Sequence, residues 1–77
     1  MQININGNDI EIIMTWNEWQ EEYARAARGA KSTIDPEVEA ELRRLNLPMD
    51  QWTVDGVAYP IQTSSGEKMR MIGKVRP

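Results

Sequence analysis

A chain of 77 residues with net charge −3 and a pI near 4.8 has room for one hydrophobic core, so residues 1–77 are expected to form one domain. It contains neither histidine nor cysteine, which excludes disulfide frameworks, thiolate or imidazole metal sites, and Ser-His or Cys-His nucleophile pairs within the chain. No basic run leads into an apolar segment at the N-terminus, and nowhere do about 18 consecutive apolar residues occur, so a cytoplasmic protein that neither spans nor anchors in a membrane is expected.

The first fourteen residues alternate in polarity around Gly7. A two-residue turn at Gly7-Asn8 sets Ile5 against Ile10, Ile3 against Ile12 and Met1 against Met14, placing three apolar pairs on one face. A turn at Asn6-Gly7 would set Ile5 against Asn8, so the apolar face selects the first register. Thr15-Trp16-Asn17-Glu18 has the form of a capping box, which predicts a helix starting at Trp16. At about 100° per residue, Trp16, Trp19, Tyr23, Ala26, Ala27 and Ala30 gather on one side, and Glu18, Glu21, Glu22, Arg25 and Arg28 on the other. The first side is expected to face the core, with Trp19 at its margin, and the helix to fray near Lys31, after Gly29.

Asp35-Pro36 predicts a second helix with Asp35 as N-cap and Pro36 at its first position. Val38, Leu42 and Leu45 form its apolar stripe. Glu37, Glu39 and Glu41 sit toward the positive end of the helix dipole and Arg43 and Arg44 toward the negative end, with Glu39 and Arg43 four residues apart. Asn46 is the expected left-handed C-cap, and Pro48 ends the helix. Asp55-Gly56 predicts a hairpin turn that pairs Trp52 with Tyr59 and Val54 with Val57. A three-residue Ser64-Ser65-Gly66 loop would then align Ile61 with Met69 and Tyr59 with Met71, giving a three-stranded meander in which Pro60 is awkward unless the preceding strand is short. The elements add up to an α+β fold of order ββααβββ, an antiparallel sheet with two helices packed on one face; whether the N-terminal hairpin joins that sheet is open.

No catalytic, cofactor or metal site is expected. Glu18 with Glu22, and Glu37 with Glu41, share helix faces, but a working acid needs burial or a close like charge, and these are predicted on solvated faces interleaved with arginine. The five glycines are scattered and form no phosphate loop. Asn4, Asn6, Asn8 and Asp9 lack the spacing and the distal bidentate Glu of a calcium loop and fit turn chemistry instead. The three tryptophans are assigned to the core, because the chain has no phenylalanine to fill it.

Charge is the most informative feature. Residues 67–77 carry Lys68, Arg70, Lys74 and Arg76 against Glu67, a net +3, which leaves −6 for residues 1–66. Alternation from Glu67 to Pro77 sends Met69, Met71, Gly73 and Val75 one way and the four cations the other, interrupted by Ile72. The strip could grip phosphates or an acidic protein patch; on an edge strand it would also deter edge-to-edge pairing. A basic strip on a hairpin beside two helices resembles the wing of winged-helix proteins, including small excisionase-like phage proteins, and that resemblance implies a nucleic-acid-binding regulator using the C-terminal hairpin. Against it, Glu37, Glu39 and Glu41 stand at the end of the helix that would enter DNA, and Ala58, Pro60 and Gln62, expected beside the cations, offer no base-stacking platform. The favoured reading is a non-enzymatic protein-binding module, a small phage-type inhibitor or adaptor, with Lys68, Arg70, Lys74 and Arg76 on the basic side and Glu18, Glu21, Glu22, Glu37 and Glu41 on the acidic side as candidate partner contacts.

Overall fold

In the computed structural model, which describes residues 1–48 and 51–76 and so leaves Pro77 of the basic segment outside the described residues, Gly7 takes φ 61° and opens a two-residue turn from β1 (Gln2–Asn6) to β2 (Asp9–Met14). The pairing is the one the apolar face selects: Ile5 lies opposite Ile10 and Ile3 opposite Ile12, with a glycine at the first turn position, as such turns require. Thr15 accepts a hydrogen bond from the Glu18 N–H while the Glu18 carboxylate accepts from the Thr15 N–H, at 3.1 and 2.9 Å. This capping box starts α1 (Trp16–Ala27).

Both helices stop in the same way. Ala30 N–H reaches Arg25 O and Gly29 N–H reaches Ala26 O after α1. Leu47 N–H reaches Leu42 O and Asn46 N–H reaches Arg43 O after α2 (Ile34–Arg44). These paired bonds are the Schellman arrangement, and each places a left-handed residue after the helix: Gly29 at φ 71° and Asn46 at φ 59°. The second helix begins before the expected Asp35 cap. Pro36 is therefore its third residue, where its missing N–H is still one of the four that no helical carbonyl would meet.

The strands β3 (Trp52–Val54), β4 (Tyr59–Thr63) and β5 (Gly66–Val75) join the N-terminal hairpin in one five-stranded antiparallel sheet. The expected meander is not formed. Trp52 pairs with Val75 and Val54 with Gly73, while Tyr59 pairs with Arg70 and Pro60 with Met69. Since β2 occupies the other side of β5 from Met69 to Lys74, β3 and β4 run end to end along the remaining side, as one strand broken at Asp55–Ala58. The Asp55-Gly56 turn signal is overridden by two bonds: Asp55 N–H reaches Ile72 O at 2.8 Å, and the Asp55 carboxylate accepts from Val57 N–H at 3.2 Å. Pro60 then sits on an edge, where a missing donor is tolerated.

The loop before β5 also differs from expectation. Thr63 pairs with Gly66, which leaves Ser64-Ser65 as a two-residue turn held by the Thr63 hydroxyl, a donor to Gly66 O at 2.7 Å and an acceptor from Ser65 N–H at 3.1 Å. A one-residue change of register moves every side chain of β4 to the opposite face. Tyr59 and Ile61 thus stand beside the cations of β5, and Pro60 and Gln62 do not.

The helices cover the face of the sheet that carries Ile10, Ile12, Met14, Met71 and Val75, and add Ile34, Val38 and Leu42 to the same cluster. Leu45, expected in the stripe, is 37% exposed. Among the described residues no aromatic ring is fully buried. Composition predicts the indoles inward, but Trp19 and Trp52 only flank the core and Trp16 is 54% exposed. The α1 helix is turned about a quarter of a revolution from the predicted orientation, as judged at 100° per residue. Glu22 rather than Tyr23 is buried, at 8% against 69% exposure.

Candidate functional site

The rotation of α1 follows from the chemistry of Glu22. Its carboxylate accepts from Ser32 Oγ at 2.9 Å, from Thr33 N–H at 3.0 Å and from the Thr33 hydroxyl. Ser32 Oγ in turn accepts from Ile34 N–H. Burial alone would raise the carboxyl, but the bonds from Thr33 and Ser32, with nearby Arg25, outweigh it and hold Glu22 below the usual carboxylate range. A side chain of α1 therefore caps the start of α2, whose own N-cap residue, Thr33, makes no capping bond of its own. Glu22 was expected on a solvated face; the two hydroxyl residues ten and eleven positions later are the sequence signal that points to its real place.

Glu18 is also committed. Its Oε2 lies 2.6 Å from the Met1 amino group, and that ammonium, together with the Thr15 N–H, lowers its carboxyl. Glu18 and Glu22 are both held toward the ionised form, the opposite of what a general acid requires. Glu41 pairs with Arg44, whose Nε is 2.7 Å from Glu41 Oε1; the expected Glu39 to Arg43 spacing yields no ion pair. Glu21 and Glu37 are exposed and make no ion pair within the described residues.

On the far side of the sheet the cations of β5 share a face, as alternation predicts. The strand is interior, however, with β2 on one flank and β3 and β4 on the other, so its cations guard no edge and β4–β5 does not stand free as a wing. Arg70 is the hub of a chain of side chains spanning four strands. Asn4 donates to Glu11 at 2.9 Å, Arg70 Nε donates to Glu11 at 2.5 Å, and Arg70 also donates to the Tyr59 hydroxyl while lying 5.7 Å from the centre of that ring. The Asn4 bond, followed by the Arg70 guanidinium, lowers the Glu11 carboxyl against the effect of burial. Lys74 and Arg76 are exposed and Lys68 is half-buried, and among the described residues none of the three makes an ion pair. Gln2, Asn4, Ile13, Ile61 and Ile72 share this face, and Asp9 stands opposite Lys74, so the face is mixed rather than a continuous basic strip.

No protein-family model, no curated protein and no solved structure matches the chain. Among the described residues no three acidic side chains converge as a metal site would need, and no helix is long and apolar enough to cross a membrane.

What the charge pattern did not indicate is an apolar flank on α1. Trp16, Trp19 and Tyr23 follow one another at helical spacing, the last two with ring centroids 6.3 Å apart. Beside them, between α1 and the broken edge strand, lies an open groove of about 260 Å³ lined mainly by Trp19, Tyr23, Ala26, Ile34 and Met71. Val57, in the break itself, is 66% exposed. The opposite flank of α1 is acidic, a shallow groove between Met1 and Thr33 that holds Glu18, Glu21 and Glu22 with Arg25. The same helix thus offers an apolar flank and an acidic one. The nine residues expected to meet a partner divide between this helical layer and the opposite face of the sheet.

Proposed function

We propose that the protein is a non-enzymatic protein-binding module that docks through α1. The observation that carries this reading is the outward aromatic flank: Trp16 and Tyr23 are mostly exposed although three buried aliphatic positions of α2 show that the fold can bury apolar side chains. Aromatic side chains left in water beside an apolar groove are the composition of binding hot spots. The complementary partner presents an apolar side chain to the groove and Lys or Arg to the acidic flank, where Glu21, with Glu37 on α2, contributes the charges not already spent inside the fold. Small size and acidity suit an inhibitor or adaptor of the type phages encode, acting in the cytoplasm, whose reducing conditions a cysteine-free chain tolerates.

The test is capture from a lysate of the source organism by immobilised protein, with and without nuclease. A protein retained in the presence of nuclease, lost with Trp16→Ala/Tyr23→Ala and kept with Lys68→Gln/Lys74→Gln, is the expected result. Retention that disappears with nuclease or with the lysine variant, and survives the aromatic one, would instead place the partner on the open face of the sheet and favour nucleic acid. Circular dichroism of each variant distinguishes loss of contact from loss of fold.

A further inference from the structure

The two lateral edges of the sheet are treated differently. One is formed by β3 and β4, short, interrupted at Asp55–Ala58 and carrying Pro60, all devices that prevent pairing with another chain. The other is β1. It pairs with β2 in unbroken register from Gln2 to Asn6 and contains no charge, no proline and no bulge. In a hairpin closed by a two-residue turn the closing pair, Asn6 with Asp9, is hydrogen-bonded and the pairs then alternate, so the N–H and C=O groups of Ile3 and Ile5 are directed away from β2. Among the described residues they meet no backbone partner outside the ladder.

We propose that this edge pairs with β1 of a second copy of the chain, about a twofold axis through Asn4, to form an antiparallel dimer with a continuous sheet. Three features select a second copy over an unrelated strand. First, the register is self-complementary: Ile3 meets Ile5 of the second copy on the helical face, while Asn4 meets its own equivalent and Gln2 meets Asn6 on the open face, so every cross-strand pair is apolar with apolar or amide with amide. Second, the half-buried Ile3 and Ile5 flank the core at this edge, and the pairing completes their cover. Third, α2 packs over β1, so the twofold lays two α2 helices side by side in opposite directions. Their charge order runs from Asp35 and Glu37 in the first turn to Arg43 and Arg44 in the last, which sets the acidic half of each against the basic half of the other.

The experiment joins sedimentation equilibrium with amide exchange on the wild-type chain and on a chain made by chemical synthesis with an N-methyl group on the Ile5 nitrogen. That group removes one outward donor and leaves the β1–β2 ladder and every side chain unchanged. The wild-type protein is expected to rise from the 8.9 kDa chain mass to twice that value with concentration, and the Ile3 and Ile5 amides to exchange about tenfold or more slowly in the dimer, while the methylated chain stays monomeric. A wild-type chain that remains monomeric to about 1 mM, about the weakest affinity of interest, would overturn the proposal. So would a dimer in which those two amides exchange at the monomer rate, a result that needs no folded variant.

Discussion

The Glu22 carboxylate ties α1 to the start of α2 through Ser32 and Thr33. The polarity pattern of α1 places Glu22 outside with Glu18 and Glu21, and that pattern is legible only as far as the helix itself; which side turns inward depends on an acceptor being needed at Ser32 and Thr33, five and six residues beyond the end of α1 at Ala27. Periodicity weighs side chains by polarity and carries no information on a partner in another element. Because the folded carboxyl is held below its ordinary value of 4.5, the unfolded chain takes up the proton more readily. Glu22 therefore adds stability that is fully present above pH about 4.5 and is lost as pH falls through the lower, folded value. Glu22→Gln is expected to flatten this acid limb in urea titrations between pH 3 and 6, and Glu22→Ala, which leaves the Thr33 N–H and Ser32 hydroxyl without an acceptor, to lower stability at neutral pH by about 1–3 kcal/mol.

At the level of elements, local chemistry is a sound guide to three short-range features. The β1–β2 register, the capping box of α1 and the left-handed Asn46 all follow from short-range rules and all occur. Two connections differ for different reasons: at Asp55-Gly56 the distant β5 takes the Asp55 N–H through Ile72 O, whereas at Ser64–Gly66 one side chain, the Thr63 hydroxyl, holds a turn one residue shorter than expected. Sequence did contain one clue, Gly73. A Cβ at that position would drive into the Thr53 carbonyl oxygen and approach Val54 Cγ2 to 3.1 Å and Val54 Cα to 3.2 Å, so β3 can lie against β5 only because residue 73 has no side chain. Gly73→Ala is expected to destabilise the protein by about 1–3 kcal/mol. The loss should be concentrated in β3, with faster exchange of the Asp55 amide, whose acceptor is Ile72 O, while the β1–β2 amides keep their rates.

Over the whole molecule, the layout is two helices on one side of a sheet and a mixed polar face on the other, and the cluster between the layers is aliphatic and methionine-rich. The absence of phenylalanine had pointed to indoles as filling; the core instead closes with Ile, Met, Val and Leu, and the aromatic rings are left at its margin or beyond it. Charge segregation along the chain was legible, and so was the shared face of the β5 cations, but the outward aromatic flank of α1 was not, because it follows from how α1 is rolled on the sheet. Chemical denaturation separates the two roles. Leu42→Ala, at a fully buried position, is expected to cost about 2–5 kcal/mol, close to the whole stability of a domain this small, whereas Trp16→Ala should change it by no more than about 0.5 kcal/mol. One property of the architecture reaches back to biosynthesis. Since β2, β3 and β4 are all hydrogen-bonded to β5, and β2 must wait for a segment some sixty residues further along, a nascent chain emerging from the ribosome can form only a hairpin and two helices, each marginal by itself, until Gly66–Val75 has been translated. Acquisition of structure is then governed by the timing of a single late segment and by the entropy of closing that long loop, and until that moment the apolar faces stand open to chaperones.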